Sequence, residues 1–174
     1  MLLLMFGIVA SNFTYNNLGF KNVAVLDLLN QTGYLLVFVL ASWLCDVPQL
    51  NWAAMLFGAL FAMQSHVFGQ LMDIDQDKKA GRNSTAILIG TQLSKLLLAL
   101  LMLLEALISL LFFSGIYVAS FMFCGFTFFV IDAVFGPRRY PLWFVKAFFI
   151  GWNLVVVSTI YFIWRDGIFL LSAG

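Results

Sequence analysis

Residues 93–113 read LSKLLLALLMLLEALISLLFF. In that stretch only Lys95, near its start, and Glu105, past its middle, are charged. Crossing the hydrocarbon core of a bilayer takes about 20 mostly apolar residues. The stretch therefore fixes lipid as the solvent of this fold. Outward from it, comparable apolar runs recur at Asp27–Leu44, Trp52–Gln70, Ile116–Phe135 and Leu142–Trp164. The breaks between runs are chemically plain. Asp46, Pro48 and Asn51 interrupt the first pair, and Ser114 and Gly115 separate the third run from the fourth. Residues 136–141, GPRRYP, separate the last two, since proline disfavours helix at its own position and at the one before. No strand alternation and no internal repeat competes with this reading. The predicted class is all-α: a polytopic transmembrane helix bundle in one domain, residues 1–174, with five full spans and a partial N-terminal helix.

Composition agrees. Of 174 residues, 63% are hydrophobic and 10% are charged, against roughly a quarter charged in a soluble domain. Disorder is excluded, because it needs low hydrophobicity and high charge. A net charge of +1 offers no field for nucleic acid. Cys45 and Cys124 are too few for a disulfide framework. At the N-terminus, Met1–Ala10 is apolar and Ser11, Asn12, Thr14, Asn16 and Asn17 follow. Ten apolar residues do not cross a bilayer. The segment reads either as a signal peptide lacking its basic start and its cleavage site, or as the end of a helix begun upstream. The second reading is the one adopted.

Charge gives an expected topology. If every run spans, one side holds Lys21, Lys78, Lys79, Arg82, Lys95, Arg138, Arg139 and Lys146, which is eight of the nine Lys and Arg. The other side holds Arg165, Asp46 and Asp166. Positive loops mark the cytoplasmic face. The loops Asn12–Val25, Leu71–Gln92 and Gly136–Pro141 are therefore expected to face the cytoplasm together, in an integral protein of the inner membrane.

The longest polar interruption lies in one of these loops. Residues 70–85 read QLMDIDQDKKAGRNST. Asp73 and Asp77 are four apart, so on a helix they share a face, and Asp75 points elsewhere. Two carboxylates at a membrane surface suit Mg²⁺, which binds through one or two carboxylates plus substrate phosphates. Lys78, Lys79 and Arg82 suit phosphate oxygens. His66, Gln70, Asp73 and Asp77 form one continuous helical stripe. Asp27, Gln31 and Tyr34 form a second, and Lys146 with Asn153 a third. Ionisable groups within a span are costly and mark functional sites by default, so these stripes are predicted to line one polar cavity opening at the cytoplasmic side. Blander readings compete. The acidic run could be a solvated connector. A Ca²⁺ loop fails, with Lys78 where glycine is needed and Ser84 where glutamate is needed. His66 alone reads better as a satisfied buried histidine than as a metal ligand. Glu105 reads as an interhelical hydrogen-bonding group, and Asp132 as capping a helix or pairing with Arg138 or Arg139.

The segment 65–87, SHVFGQLMDIDQDKKAGRNSTAI, resembles the second aspartate-rich motif of the UbiA-type intramembrane prenyltransferases. That motif is Asp-x-x-x-Asp followed by a basic residue, a glycine and a Ser or Thr, places taken here by Asp73, Asp77, Gly81 and Thr85. Tyr15 and Lys21, just before Asp27, resemble the Tyr and basic residue of a substrate-binding loop. The resemblance implies nine membrane helices around a central cavity, with two Asp-rich motifs facing each other and each binding Mg²⁺. Together they would grip a polyprenyl diphosphate. Asp73 and Asp77 would be catalytic metal ligands, and Lys78, Lys79, Arg82, Lys21 and Tyr15 would hold the diphosphate. The prenyl group would pass to an aromatic or other hydrophobic acceptor, quinone precursor or carotenoid-like. The first motif, Asn-Asp-x-x-Asp, is absent from the sequence. The chain is accordingly expected to be the C-terminal portion of such an enzyme, with Met1–Ala10 a remnant of the fourth helix. It is expected to have little activity without an N-terminal partner chain that carries the first motif. The competing classes are a non-catalytic membrane subunit, or truncated inactive fragment, and a CDP-alcohol phosphotransferase. The latter's Asp-Gly-x-x-Ala-Arg signature is absent.

Overall fold

A computed structural model describes residues 1–166, without the side chains of residues 152, 155, 156 and 159–166. The described residues are helical, with no strand among them. The helices are α1 (Leu2–Asn16), α2 (Leu26–Leu29), α3 (Leu35–Leu44), α4 (Trp52–Lys79), α5 (Thr85–Phe113), α6 (Ile116–Phe135) and α7 (Leu142–Asp166). Of these, α4, α5 and α6 are long and apolar enough to cross a membrane. The expected placement of Arg165 and Asp166 lies outside the described side chains.

The helix α5 shows how this sequence packs in lipid. Leu93, Leu96, Leu100, Leu104, Leu107 and Leu111 are exposed, three or four residues apart. They form a stripe along one face, as helical periodicity requires. The opposite face buries Ser94, Ala99, Ala106 and Ser109 against α4 and α6. Lipid tails are as apolar as leucine, so burial of leucine drives little helix association. Small residues that let backbones approach contribute more. Ala53 and Ala59 of α4 and Ala119 of α6 are buried in the same way. The buried face of α5 also holds Leu98, Leu101, Met102 and Ile108, so small and large side chains share it.

Three boundaries differ from the sequence reading. Asp27–Leu44 is not one regular helix: α2 passes into a 3₁₀ stretch, Asn30–Tyr34, before α3 begins. Asn30, Gln31, Thr32 and Gly33 are weak helix formers, and Thr32 Oγ1 donates to the Leu29 carbonyl. A Cβ on Gly33 would collide with Ser11 of α1, so the glycine permits that close approach. There Asn30 Nδ2 donates to the Ser11 carbonyl and Thr14 Oγ1 to Asn30 Oδ1. The polar run after Met1–Ala10 docks α1 in this way.

Second, the expected Leu71–Gln92 loop is mostly helix. The helix α4 runs on to Lys79, and α5 begins at Thr85. Charged residues interrupt hydropathy without interrupting a helix, since Asp, Gln and Lys are tolerated on exposed turns. Gly81, at φ 70°, reverses the chain between the two helices, with Arg82 N–H donating to the Asp77 carbonyl. Third, α5 is broken once, at Gly90 (φ 80°, ψ 169°), a backbone conformation that favours glycine. Ile116–Phe135 is a helix as expected.

Candidate functional site

Asp27 organises one end of the bundle. It is fully buried. Its Oδ2 accepts from the Thr85 backbone N–H at 2.8 Å and from Gln70 Nε2 at 2.5 Å, and its Oδ1 accepts from Thr85 Oγ1 at 2.5 Å. Thr85 is the first residue of α5, where backbone N–H groups lack helical partners and the dipole favours a negative charge. A carboxylate on α2 therefore caps a helix 58 residues away. The network continues outward. Gln70 Oε1 accepts from Ala86 N–H, Gln31 Nε2 donates to the Asp27 carbonyl, and Thr85 Oγ1 accepts from Val25 N–H.

Asp27, Gln31 and Gln70 are residues expected to line the polar cavity. All three are buried in a joint between α2, α4 and α5. A carboxylate without solvent draws every nearby donor to itself, and the amides at helical spacing are those donors. The remaining amide hydrogen of Gln70 faces His66 Nε2 at 2.9 Å, which assigns the imidazole proton to Nδ1. Tyr34, expected in the same stripe, is exposed.

Beside this joint stands the acidic motif, on the last two turns of α4. Asp77 is buried, and its Oδ1 accepts from Arg82 Nη1 at 2.8 Å. Asp73 is exposed, as are Lys78 and Lys79. Tyr15, at the end of α1, sets its ring edge-on to His66 with centroids 6.0 Å apart. Burial above all, and next the charge of Asp27, raises the pKa of the Tyr15 phenol, with Arg82 near enough to oppose them. The phenol is therefore a protonated donor at neutral pH. Lys21 lies half-buried in the 3₁₀ turn Phe20–Asn22 and takes part in no ion pair among the described residues.

On its other flank Asp73 opens into a cleft of about 460 Å³ between α4, α6 and α7. Lys146 and Asn153 of α7 line it with Gln64, Phe68, Phe129 and Phe148. Asn153 Nδ2 donates to the carbonyl of Phe149 in its own helix. The residues expected to line one polar pocket are met on two flanks of α4, with Asp73 and Asp77 one turn apart at its end. Tyr15, His66, Asp77 and Arg82 lie on the side of α1 and α2, whereas Asp73, Lys146 and Asn153 lie on the side of α7.

The residues that sequence reasoning missed sit at the α6–α7 connection. Lys95 is fully buried. Its Nζ is 2.8 Å from Asp132 Oδ2, donates to the carbonyls of Asp132 and Pro137, and lies over the Tyr140 ring at 4.9 Å. The Tyr140 hydroxyl donates to Asp132. Asp132 thus pairs with Lys95 rather than with Arg138 or Arg139. Burial, followed by the hydrogen bond and charge of Asp132, raises the pKa of Tyr140. Arg139 Nε reaches Asp75 Oδ2 at 3.2 Å instead. A lone Lys and a lone Asp in apolar runs were the available signal for this pair. Glu105, expected to bond across helices, has both carboxylate oxygens buried with no hydrogen-bond partner among the described residues.

Mg²⁺ can be tested against this donor set. Among the described residues no three His, Cys, Asp or Glu side chains form a cage that holds a metal alone. Asp73 and Asp77 on successive turns fit a hard cation whose remaining positions are filled by phosphate and water.

Fold and site together define a helical membrane protein with a carboxylate–cation cluster at one end of its longest apolar helices. The chain is 32% identical over 104 residues to the UbiA prenyltransferase domain-containing protein 1 homolog of Drosophila melanogaster. This likeness supports, at a modest level, the resemblance to the UbiA-type prenyltransferases. The match covers 58% of this chain and 29% of that relative, so the chain spans about three-tenths of the relative's length. No family model and no solved structure matches.

Proposed function

We propose that the chain forms one wall of a membrane-embedded, Mg²⁺-dependent prenyl transfer site. That site would transfer a polyprenyl group from its diphosphate to an aromatic or other apolar acceptor, quinone precursor or carotenoid-like. The observation that carries this reading is Asp73 itself: an exposed carboxylate one turn from Asp77, at the mouth of an aromatic cleft. A scaffold has no need of paired carboxylates and three cations at that position.

Asp73 and Asp77 would hold Mg²⁺, which when bound neutralises charge building on a departing diphosphate. Arg82, Lys78 and Lys79 would take phosphate oxygens directly, Arg82 in bidentate fashion. The Tyr15 phenol, kept protonated, would donate one further hydrogen bond, and Lys21 would add positive charge at the same end. In the cleft, Phe68, Phe129 and Phe148 would exclude water from an allylic cation and offer it aromatic faces. The opposite wall, with a second carboxylate motif, would come from a partner chain or segment. In this reading the protein sits in the inner membrane with five spans and the acidic motif towards the cytoplasm.

The test is Mg²⁺-dependent transfer from a polyprenyl diphosphate in membranes that also contain an N-terminal UbiA-type fragment. Asp73→Ala or Asp77→Ala should each lower kcat/KM at least about a hundredfold, with Asp75→Ala milder. Transfer that is absent with the fragment present, or unmoved by Asp73→Ala, would overturn the reading. Mg²⁺-independent activity would do the same.

A further inference from the structure

We propose that Arg139 is a further diphosphate-binding residue, carried on a limb between α6 and α7 whose root Lys95 fixes in place. This rests on the diphosphate reading above and assigns that same site an additional ligand.

The root and the tip of the limb differ in kind. At the root, Lys95 is fully buried and is held by Asp132 and by the carbonyls of Asp132 and Pro137, with the Tyr140 ring against it. Removing either charge would strand the other without solvent, so the root holds one geometry. At the tip, Arg139 meets Asp75 at 3.2 Å with side chains 79% and 44% exposed. A pair that exposed contributes little and exchanges partners readily. Arg138, beside it, is exposed too.

The contact also fixes where the tip is delivered. Asp75 lies two residues from Asp73 and two from Asp77, about 3 Å along the axis in either direction. Helical spacing turns Asp75 to another face, so Arg139 would reach a diphosphate held at Asp73 and Asp77 by leaving Asp75 and swinging around the end of α4. A guanidinium fork matches phosphate oxygens at least as well as it matches a carboxylate. Arg139 would leave Asp75 for the diphosphate, and Lys95 would act as the positioning residue that keeps the loop over the motif. The alternative is that Arg139 is only a latch that ties the loop to α4 through Asp75.

Calorimetric titration separates the two. The full chain in phosphatidylcholine nanodiscs is titrated with inorganic pyrophosphate at constant MgCl₂. If Arg139 is a ligand, Arg139→Gln weakens binding about tenfold, the loss of one charge-assisted contact. Arg139→Lys recovers part of it, and Asp75→Asn leaves affinity unchanged or tighter. Equal weakening by Arg139→Gln and Asp75→Asn would mean a latch and overturn the proposal. Wild-type affinity in Arg139→Gln would overturn it as well, including the case in which Arg139 serves a lipid headgroup. A wild-type chain that binds no pyrophosphate would sink the diphosphate reading together with this one.

Discussion

A single carboxylate, Asp27, does structural work that its position in a polar stripe did not suggest. The spacings of Asp27 with Gln31 and of His66 with Gln70 were legible, because polar residues three or four apart on an apolar helix are conspicuous. Their purpose was not, because the group that organises them is the free N–H at the start of α5, 58 residues further along. Asp27→Asn keeps the shape and one acceptor oxygen but turns an amide donor towards Gln70 or Thr85. It should cost roughly 1–3 kcal/mol, read as a lower Tm in detergent. If Tm holds and pyrophosphate binding is lost, Asp27 lines a ligand cavity after all. Glu105 predicts the opposite sign. Its carboxylate is buried with both oxygens unpartnered among the described residues, and desolvating such a group without compensation costs roughly 1–3 kcal/mol. Glu105→Leu, of similar size, should therefore raise Tm. A fall would mean that Glu105 meets a partner outside the described residues.

Between elements, the decisive contacts are those that hydropathy cannot rank. The apolar runs gave α4, α5 and α6 directly, because length in lipid is a strong constraint. Where backbone chemistry competes with hydropathy, at Asn30–Tyr34 and Gly90, the boundary moved. The Lys95–Asp132 pair makes the same point for side chains. Lys95 counts towards a positive loop in sequence, yet the antiparallel packing of α5 on α6 brings it to Asp132 and away from solvent. Breaking such a pair from one side strands a buried charge and typically costs about 3–5 kcal/mol. Lys95→Met should therefore destabilise the protein strongly in detergent titrations. Combined with Asp132→Leu, much of that loss should return, because neither charge is then left alone. If the double variant is as unstable as the sum of the two single ones, the pair is not the joint between these helices.

At the scale of the whole molecule, orientation follows from where the cations gather. Lys78, Lys79, Arg82 and the α6–α7 loop with Arg138 and Arg139 meet around one end of the bundle, joined by Arg139 and Asp75. Positive residues resist translocation, so this end should face the cytoplasm. Two free cysteines report on the assignment without disturbing the site. Cys45 ends α3 beside Asp46 and is exposed, at the far end of the segment that begins near Thr85. Cys124 is exposed in the middle of α6, among Phe123 and Phe128, on a face suited to lipid. A membrane-impermeant maleimide added to intact cells should label Cys45 and spare Cys124. Arg138→Cys in a Cys45→Ser background should react only after the membrane is opened. Labelling of Arg138→Cys in intact cells would invert the topology. A diphosphate made in the cytoplasm could not then reach the motif from that side, so the orientation and the proposed chemistry stand on the same measurement.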